Sequence, residues 1–298
     1  MRAYLTLLLS LAAVWGASFM FIEIALDDLA PTTLMSGRLI VASVALVSLM
    51  AARGMLGRLR RAGWRAFALG IINSAVPFTL IAWGQQHIDS GVAAIANATV
   101  PIWVALLAIW FAQSERATGL RIVGIVLGLV GVAVLAGAQP EVDAWAIAGT
   151  LAVVVASILY AIASLFLQRE TERLDTITLA TATMLGATIA LLPFGLAQAP
   201  RDAPGWEAIA SVVALGVAGT GVGILIFMKI ISDYGSFKAG LVTYLLPVTA
   251  LLYGALLLDE EITAWMVVGL VLILSGVALG SGLLRPSASP EAVEPARP

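Results

Sequence analysis

Asn97-Ala98-Thr99-Val100-Pro101, with the apolar run after it that ends at Glu115, is the stretch on which the reading turns. Thr243-Tyr244-Leu245-Leu246-Pro247 opens a second such run, which ends at Glu261. Proline and glutamate stand 14 residues apart in both copies, 101 to 115 and 247 to 261. Each copy then enters an apolar segment punctuated by glycine: Gly124, Gly131 and Gly137 in the first, Gly269, Gly276 and Gly282 in the second. Internal repetition on this scale has to be settled before any local reading. It predicts a duplicated architecture, with one copy over 1–138 and the other over 146–284.

Composition sets the class. Of 298 residues, 61% are hydrophobic and 11% charged, against about 25% charged in a soluble domain. So few charges cannot cover a water-soluble particle of this size, and the chain is expected to be an integral membrane protein. Its net charge of −2 gives no footing for nucleic acid. With no cysteine and one histidine, His87, thiolate chemistry and histidine-cluster metal sites are excluded. No cofactor and no metal is expected. An intramembrane enzyme would need a nucleophile with its base, or metal ligands at depth, so no enzymatic activity is expected either.

Ten segments reach the roughly 20 apolar residues that a spanning helix needs: 3–25, 32–52, 65–86, 91–112, 118–137, 146–168, 176–196, 207–229, 236–258 and 262–284. The first resembles a signal peptide, but it has its own echo in the second half and so is read as part of the repeat. The proline-rich residues 285–298 are expected to form a disordered cytoplasmic tail. With the N-terminus in the cytoplasm, 14 of the Lys and Arg residues fall inside and Arg201 alone outside, while Arg38 lies within a span. This bias fixes orientation and puts both termini in the cytoplasm. Five spans per copy is an odd number, so the second copy is expected to be inverted relative to the first. Inverted repeats are the signature of alternating access around a midplane site.

Trp15-Gly16-Ala17-Ser18-Phe19, Pro31 with Arg38, Asn73 with Pro77-Phe78, the Pro101 to Glu115 run, and Gly124 with Gly131 together resemble the EamA-type domain of the drug/metabolite transporter superfamily. Pro247, Glu261, Gly269 and Gly276 repeat the pattern, with Tyr160 where Trp15 stands and Thr183 where Arg38 stands. The resemblance implies a basket of ten helices around a central cavity, in a bacterial inner membrane. Much of the cavity wall would come from helices 3, 4, 8 and 9. It also implies export of small metabolites, amino acids foremost. A multidrug exporter, or a sugar or nucleotide-type exporter of the same superfamily, is the alternative. The expected partners are the small-molecule substrate and the lipid bilayer, with the chain a monomer or weak homodimer.

The candidate substrate residues are polar, aromatic or proline residues at mid-span. Trp15 and Tyr160 either stack on substrate or pack between helices, and the polar tip of each needs a partner. Phe78, Trp83 and Tyr244 are weaker versions of the same idea. Asn73 and Asn97 are amides that must be paired, to substrate or to another helix. Ser164 can bond back to its own helix. Pro101 and Pro247 free a backbone carbonyl near mid-membrane. The hinge and gate candidates are Pro77, Gly219, Gly221 and Arg38. Arg38 is read either as a receptor for a substrate carboxylate or as a clamp onto Glu23 or Asp27, with the clamp preferred. Glu115 and Glu261 are expected to cap the helices that follow them. His87 is expected at the surface.

Overall fold

The computed structural model describes residues 2–111, 119–136, 144–234 and 239–280. These residues form helices joined by turns, with no strand among them. In chain order the helices are α1 (Arg2–Leu26), α2 (Pro31–Ala52), α3 (Leu59–Gly70, continuing through Ile71–Ala75 and Val76–Gln85), α4 (Ser90–Asn97 and Val100–Phe111) and α5 (Gly119–Ala136). There follow α6 (Ala144–Thr171), α7 (Thr176–Ala197), α8 (Trp206–Ala214, Leu215–Val222 and Gly223–Tyr234), α9 (Val242–Leu257) and α10 (Ala264–Gly280). Seven of the described helices are long and apolar enough to cross a membrane. Three further apolar helices, within α5, α9 and α10, are shorter than the expected spans. Glu115 and the tail at 285–298 lie outside the described residues.

Because the chain is so apolar, hydrophobicity does not choose one helix face over another. Small residues do, by letting backbones approach. A methyl group built on Gly276 of α10 would stand 2.6 Å from the Gly124 carbonyl and 2.7 Å from the Gly128 nitrogen of α5, so these two helices cross in close contact. Gly84 of α3 and Gly149 of α6 face one another in the same way. Gly70 of α3 lies against the Thr183 carbonyl of α7, and Gly216 of α8 against the Arg38 carbonyl of α2. Thr183 and Arg38 are repeat equivalents, so the same close approach is built twice.

The helix pairing is reciprocal between the copies. α1 packs on α8 and α9, and its counterpart α6 packs on α3 and α4. α2 packs on α8 as α7 packs on α3, while α2–α7, α4–α9 and α5–α10 pair counterpart with counterpart. Two helices change their winding at matching places. Ile71–Ala75 of α3 and Leu215–Val222 of α8 are π-helical, and an offset of 145 residues carries the first onto the second. Such widened turns are rare and recur at functional sites. In α3 the cause is Pro77, which has no N–H to give to the Asn73 carbonyl one turn back. In α8 the Thr220 hydroxyl reaches back five residues to the Leu215 carbonyl at 3.1 Å.

The two helices that carry the proline landmarks differ. α4 breaks outright at Ala98 and Thr99, ahead of Pro101. The Ile102 N–H bonds to Thr99, at 2.8 Å, rather than to Ala98. α9 runs through Pro247 without a break. It is tied to α1 by the Thr249 hydroxyl, which donates to the Ala12 carbonyl at 2.9 Å. The expected capping also needs correction. The cap of α10 is Thr263, whose hydroxyl accepts the Met266 N–H at 3.2 Å, and Glu261 is exposed. Its neighbour Glu260 instead caps α4 across the repeat boundary, accepting the Ser90 and Gly91 N–H groups at 2.8 and 3.1 Å.

Candidate functional site

The side chains most out of keeping with an apolar bundle meet where the two copies face one another. Arg38 of α2 is only 7% exposed. A guanidinium at this depth costs a few kcal/mol unless the surroundings compensate it. The surroundings do so in part. Its Nε donates to the Thr220 hydroxyl of α8 at 3.1 Å. Its Cζ sits 4.0 Å from the ring centroid of Phe78 on α3, a cation–π contact. Tyr160 of α6 packs edge-on to the same ring, centroids 6.5 Å apart. Arg38 and Phe78 thus come from the first copy, and Tyr160 and Thr220 from the second.

The preferred clamp for Arg38 is overturned. Glu23 accepts a hydrogen bond from Gln85 Nε2 at 3.1 Å, and the same amide also donates to the Phe19 carbonyl at 2.9 Å. Arg38 lies seven residues into α2, whereas Glu23 is three residues from the end of α1. At about 1.5 Å of rise per residue, Arg38 is the deeper by roughly 6 Å. Among the described residues no carboxylate lies within salt-bridge distance of Arg38. Its two Nη groups have no hydrogen-bond partner there, and they are not among the sealed polar atoms.

Gly219, in the π-helical turn of α8, joins Trp15 to this cluster. Its carbonyl accepts the Trp15 indole N–H at 3.0 Å. A methyl group on Gly219 would stand 2.9 Å from the Ser18 hydroxyl and 3.8 Å from an Arg38 Nη. A larger residue at 219 would therefore have to displace the Ser18 hydroxyl. Gly221 has only ordinary contacts around it and is not required in this way. Trp15 also packs beside Phe227, with ring centroids 5.4 Å apart. On the α1–α8–α9 side of Gly219 lies a cavity of about 190 Å³, lined by four alanines together with Val14, Ser18, Phe21 and Tyr253. Its polar residue, Ser18, donates to the Val14 carbonyl of its own helix.

The remaining candidates are placed as follows. Asn73 lies in the π-helical turn of α3, its amide 3.4 Å from the Ser74 hydroxyl, and Pro77 is buried one turn on. Asn97 ends the first piece of α4, with Oδ1 accepting from Ser157 of α6 at a long 3.5 Å. Ser164 donates its hydroxyl to the Ala161 carbonyl at 2.7 Å, so only its acceptor side is left for a ligand in this arrangement. Tyr244 packs against the main core, and Pro247 is buried beside it. Trp83 belongs elsewhere: five residues beyond Phe78, it packs edge-on to His87, which stacks on Trp145 of α6 at 5.2 Å. His87 is thus half-buried, held between two indoles of which Trp145 is exposed. Thr220 bonds back to its own helix and still accepts from Arg38. Gln85 and Glu260 carry no sequence signal of their roles, because both act on helices far away in the chain.

The chain is similar to known proteins over nearly its whole length. The model of the EamA-like transporter family matches twice, over residues 2–137 and 147–282. An uncharacterized transporter of Archaeoglobus fulgidus is 30% identical, over 93% of this chain and 98% of its own length. A probable terminal-alkyne amino-acid exporter of Streptantibioticus cattleyicolor is also 30% identical, over 89% of each chain. A crystal structure that is 16% identical superposes with a TM-score of 0.69, covering 95% of this chain and 99% of that one, and so shares the fold. With two matches that span nearly all of its length, the chain belongs to the EamA-like transporter family: it is a multi-pass membrane transporter built from two EamA repeats, and not an enzyme.

Proposed function

We propose that the protein exports small metabolites, amino acids foremost, across the inner membrane. It works by alternating access around a midplane site between two inverted repeats. The observation that carries this reading is the Arg38–Phe78–Tyr160–Thr220 cluster, whose walls come half from each repeat. A site shared by two halves changes access when the halves rock against one another. The reciprocal helix pairing supports a two-fold exchange of the repeats, and the 14-to-1 charge bias supports their opposite orientation. The relative named as a probable amino-acid exporter, aligned over 89% of each chain, supports the substrate class. A zwitterion with an apolar side chain suits a site that joins one cation to aromatic rings. A lipophilic cation does not, because Arg38 would repel it. Transport is read as uncoupled, driven by the metabolite gradient. The test is uptake of a labelled panel of amino acids into proteoliposomes of the purified protein, at matched and unmatched pH. Uptake of at least one neutral amino acid is expected. No uptake of any would reject the substrate class, and accumulation sustained by a pH gradient would reject uncoupled transport.

A further inference from the structure

We infer that Arg38 is the receptor for the substrate's carboxylate, and that the transported species must carry one. The inference rests on the cluster being the substrate site, and it adds which ligand group the site requires. Three observations point to an anion. Arg38 is only 7% exposed, yet no carboxylate reaches it from any described residue. A buried cation without a counter-ion is the arrangement most in need of one. Next, the two interactions that Arg38 does make leave its binding edge free. Thr220 takes Nε, and the face of the guanidinium lies on Phe78, so the two Nη groups remain. Those groups form the end of the fork that engages a carboxylate through paired hydrogen bonds. Last, the surroundings hold that fork still. Thr220 is fixed by its second bond to the Leu215 carbonyl, and the Tyr160 ring braces the Phe78 ring.

Selectivity follows. Removing the carboxylate from a ligand leaves the Nη groups unpaired inside the bundle. A hydrogen bond to a charged group is worth about 1.5–3 kcal/mol, which is roughly a tenfold to hundredfold change in affinity. The charge of the substrate ammonium is a lesser matter for this site, so a simple carboxylic acid should bind where an amine does not.

Binding to the purified full-length protein in detergent, followed by calorimetry, tests this with two side-chain series. Phenylalanine, phenylalaninamide, 3-phenylpropionate and phenethylamine form one series; leucine, leucinamide, 4-methylpentanoate and isopentylamine form the other. In at least one series the amino acid and the plain carboxylate should bind, with the amide and the amine at least about tenfold weaker. Arg38→Met should abolish that preference without lowering the thermal midpoint of the ligand-free protein, since it removes an uncompensated charge. Arg38→Lys should bind the carboxylates more weakly than the native protein does. Equal binding of amides and acids to the native protein would overturn the inference and leave amino-acid export standing. Carboxylate binding without uptake of any amino acid by proteoliposomes would uphold it and overturn the amino-acid reading. No binding by any carboxylate overturns it, whatever the variants do.

Discussion

At the residue scale, the site is made by side chains that each do two things. Thr220 bonds back into its widened turn and also holds Arg38, and the second of these roles is not visible from the sequence alone. Thr220→Val keeps the shape and removes the hydroxyl. It should leave Arg38 Nε unpaired and reduce flux severalfold, while Thr220→Ser restores most of it; equal flux in the native and valine proteins would show that the bond does not position the arginine. Tyr160→Ala removes the brace on Phe78 from a half-buried position. Flux should fall by about tenfold in the proteoliposome assay, with the helical signal in circular dichroism retained; unchanged flux would remove Tyr160 from the site. The sequence makes Arg38 conspicuous, because a lone arginine in an apolar span stands out. It does not reveal the partner, because Glu23 and Asp27 are near in sequence while Thr220 lies 182 positions away. The same limit applies to Trp15. Its need for a hydrogen-bond partner can be read from the chain, but not that the partner is a backbone carbonyl of α8.

At the element scale, two of the four helices that carry the site, α3 and α8, depart from regular winding. Both π-helical turns lie one repeat apart, and each presents a polar residue, Asn73 or Thr220, from a place where a regular helix would have turned it elsewhere. Proline and glycine were legible as breakers. What they break into was not, since the outcome depends on which neighbour takes up the freed carbonyl. The cap of α4 shows the same dependence. Asp89 occupies the local capping position but makes no side-chain cap bond. Glu260 from the other repeat does the capping, and two carboxylates are thereby brought close. Burial first, and the charge of Glu260 second, push the Asp89 carboxyl above the ordinary aspartate range. The folded protein therefore holds the Asp89 proton more tightly than the unfolded chain does. Stability from this group is complete below about pH 4, the ordinary aspartate value, and is lost as pH rises through the folded value. Asp89→Asn mimics the protonated form. It should raise the thermal midpoint in detergent at pH 7–8 and leave it unchanged at acid pH. A drop at neutral pH would mean that the Asp89 charge is itself stabilising. Glu260→Ala strands two N–H groups and should cost about 1–2 kcal/mol at neutral pH.

At the scale of the whole molecule, duplication was the most legible feature, because a spacing kept in two copies needs no structural context to be seen. The reciprocal packing of α1 on α8 and α9, and of α6 on α3 and α4, is what such a duplication produces when the copies exchange places about a two-fold axis. A two-fold axis alone does not say whether the copies point the same way through the bilayer. An axis along the membrane normal gives parallel copies, and an axis in the membrane plane gives inverted ones. Transport by exchange of the two repeat conformations requires the second arrangement, since only then does the state open to one side become the state open to the other when the repeats swap shapes. The sequence supplies an unusually direct test. It contains no cysteine, so one introduced thiol is the only one to label. Gly57, between α2 and α3, and Asp202, between α7 and α8, are exposed and lie 145 residues apart, at equivalent places in the two repeats. If the repeats are inverted, a membrane-impermeant maleimide added to intact cells should label Asp202→Cys and reach Gly57→Cys only after the cells are opened. Glu172→Cys, in the turn between α6 and α7, should behave like Gly57→Cys. Labelling of the Gly57 and Asp202 variants from the same side would make the repeats parallel, and the exchange mechanism would fall with the inversion.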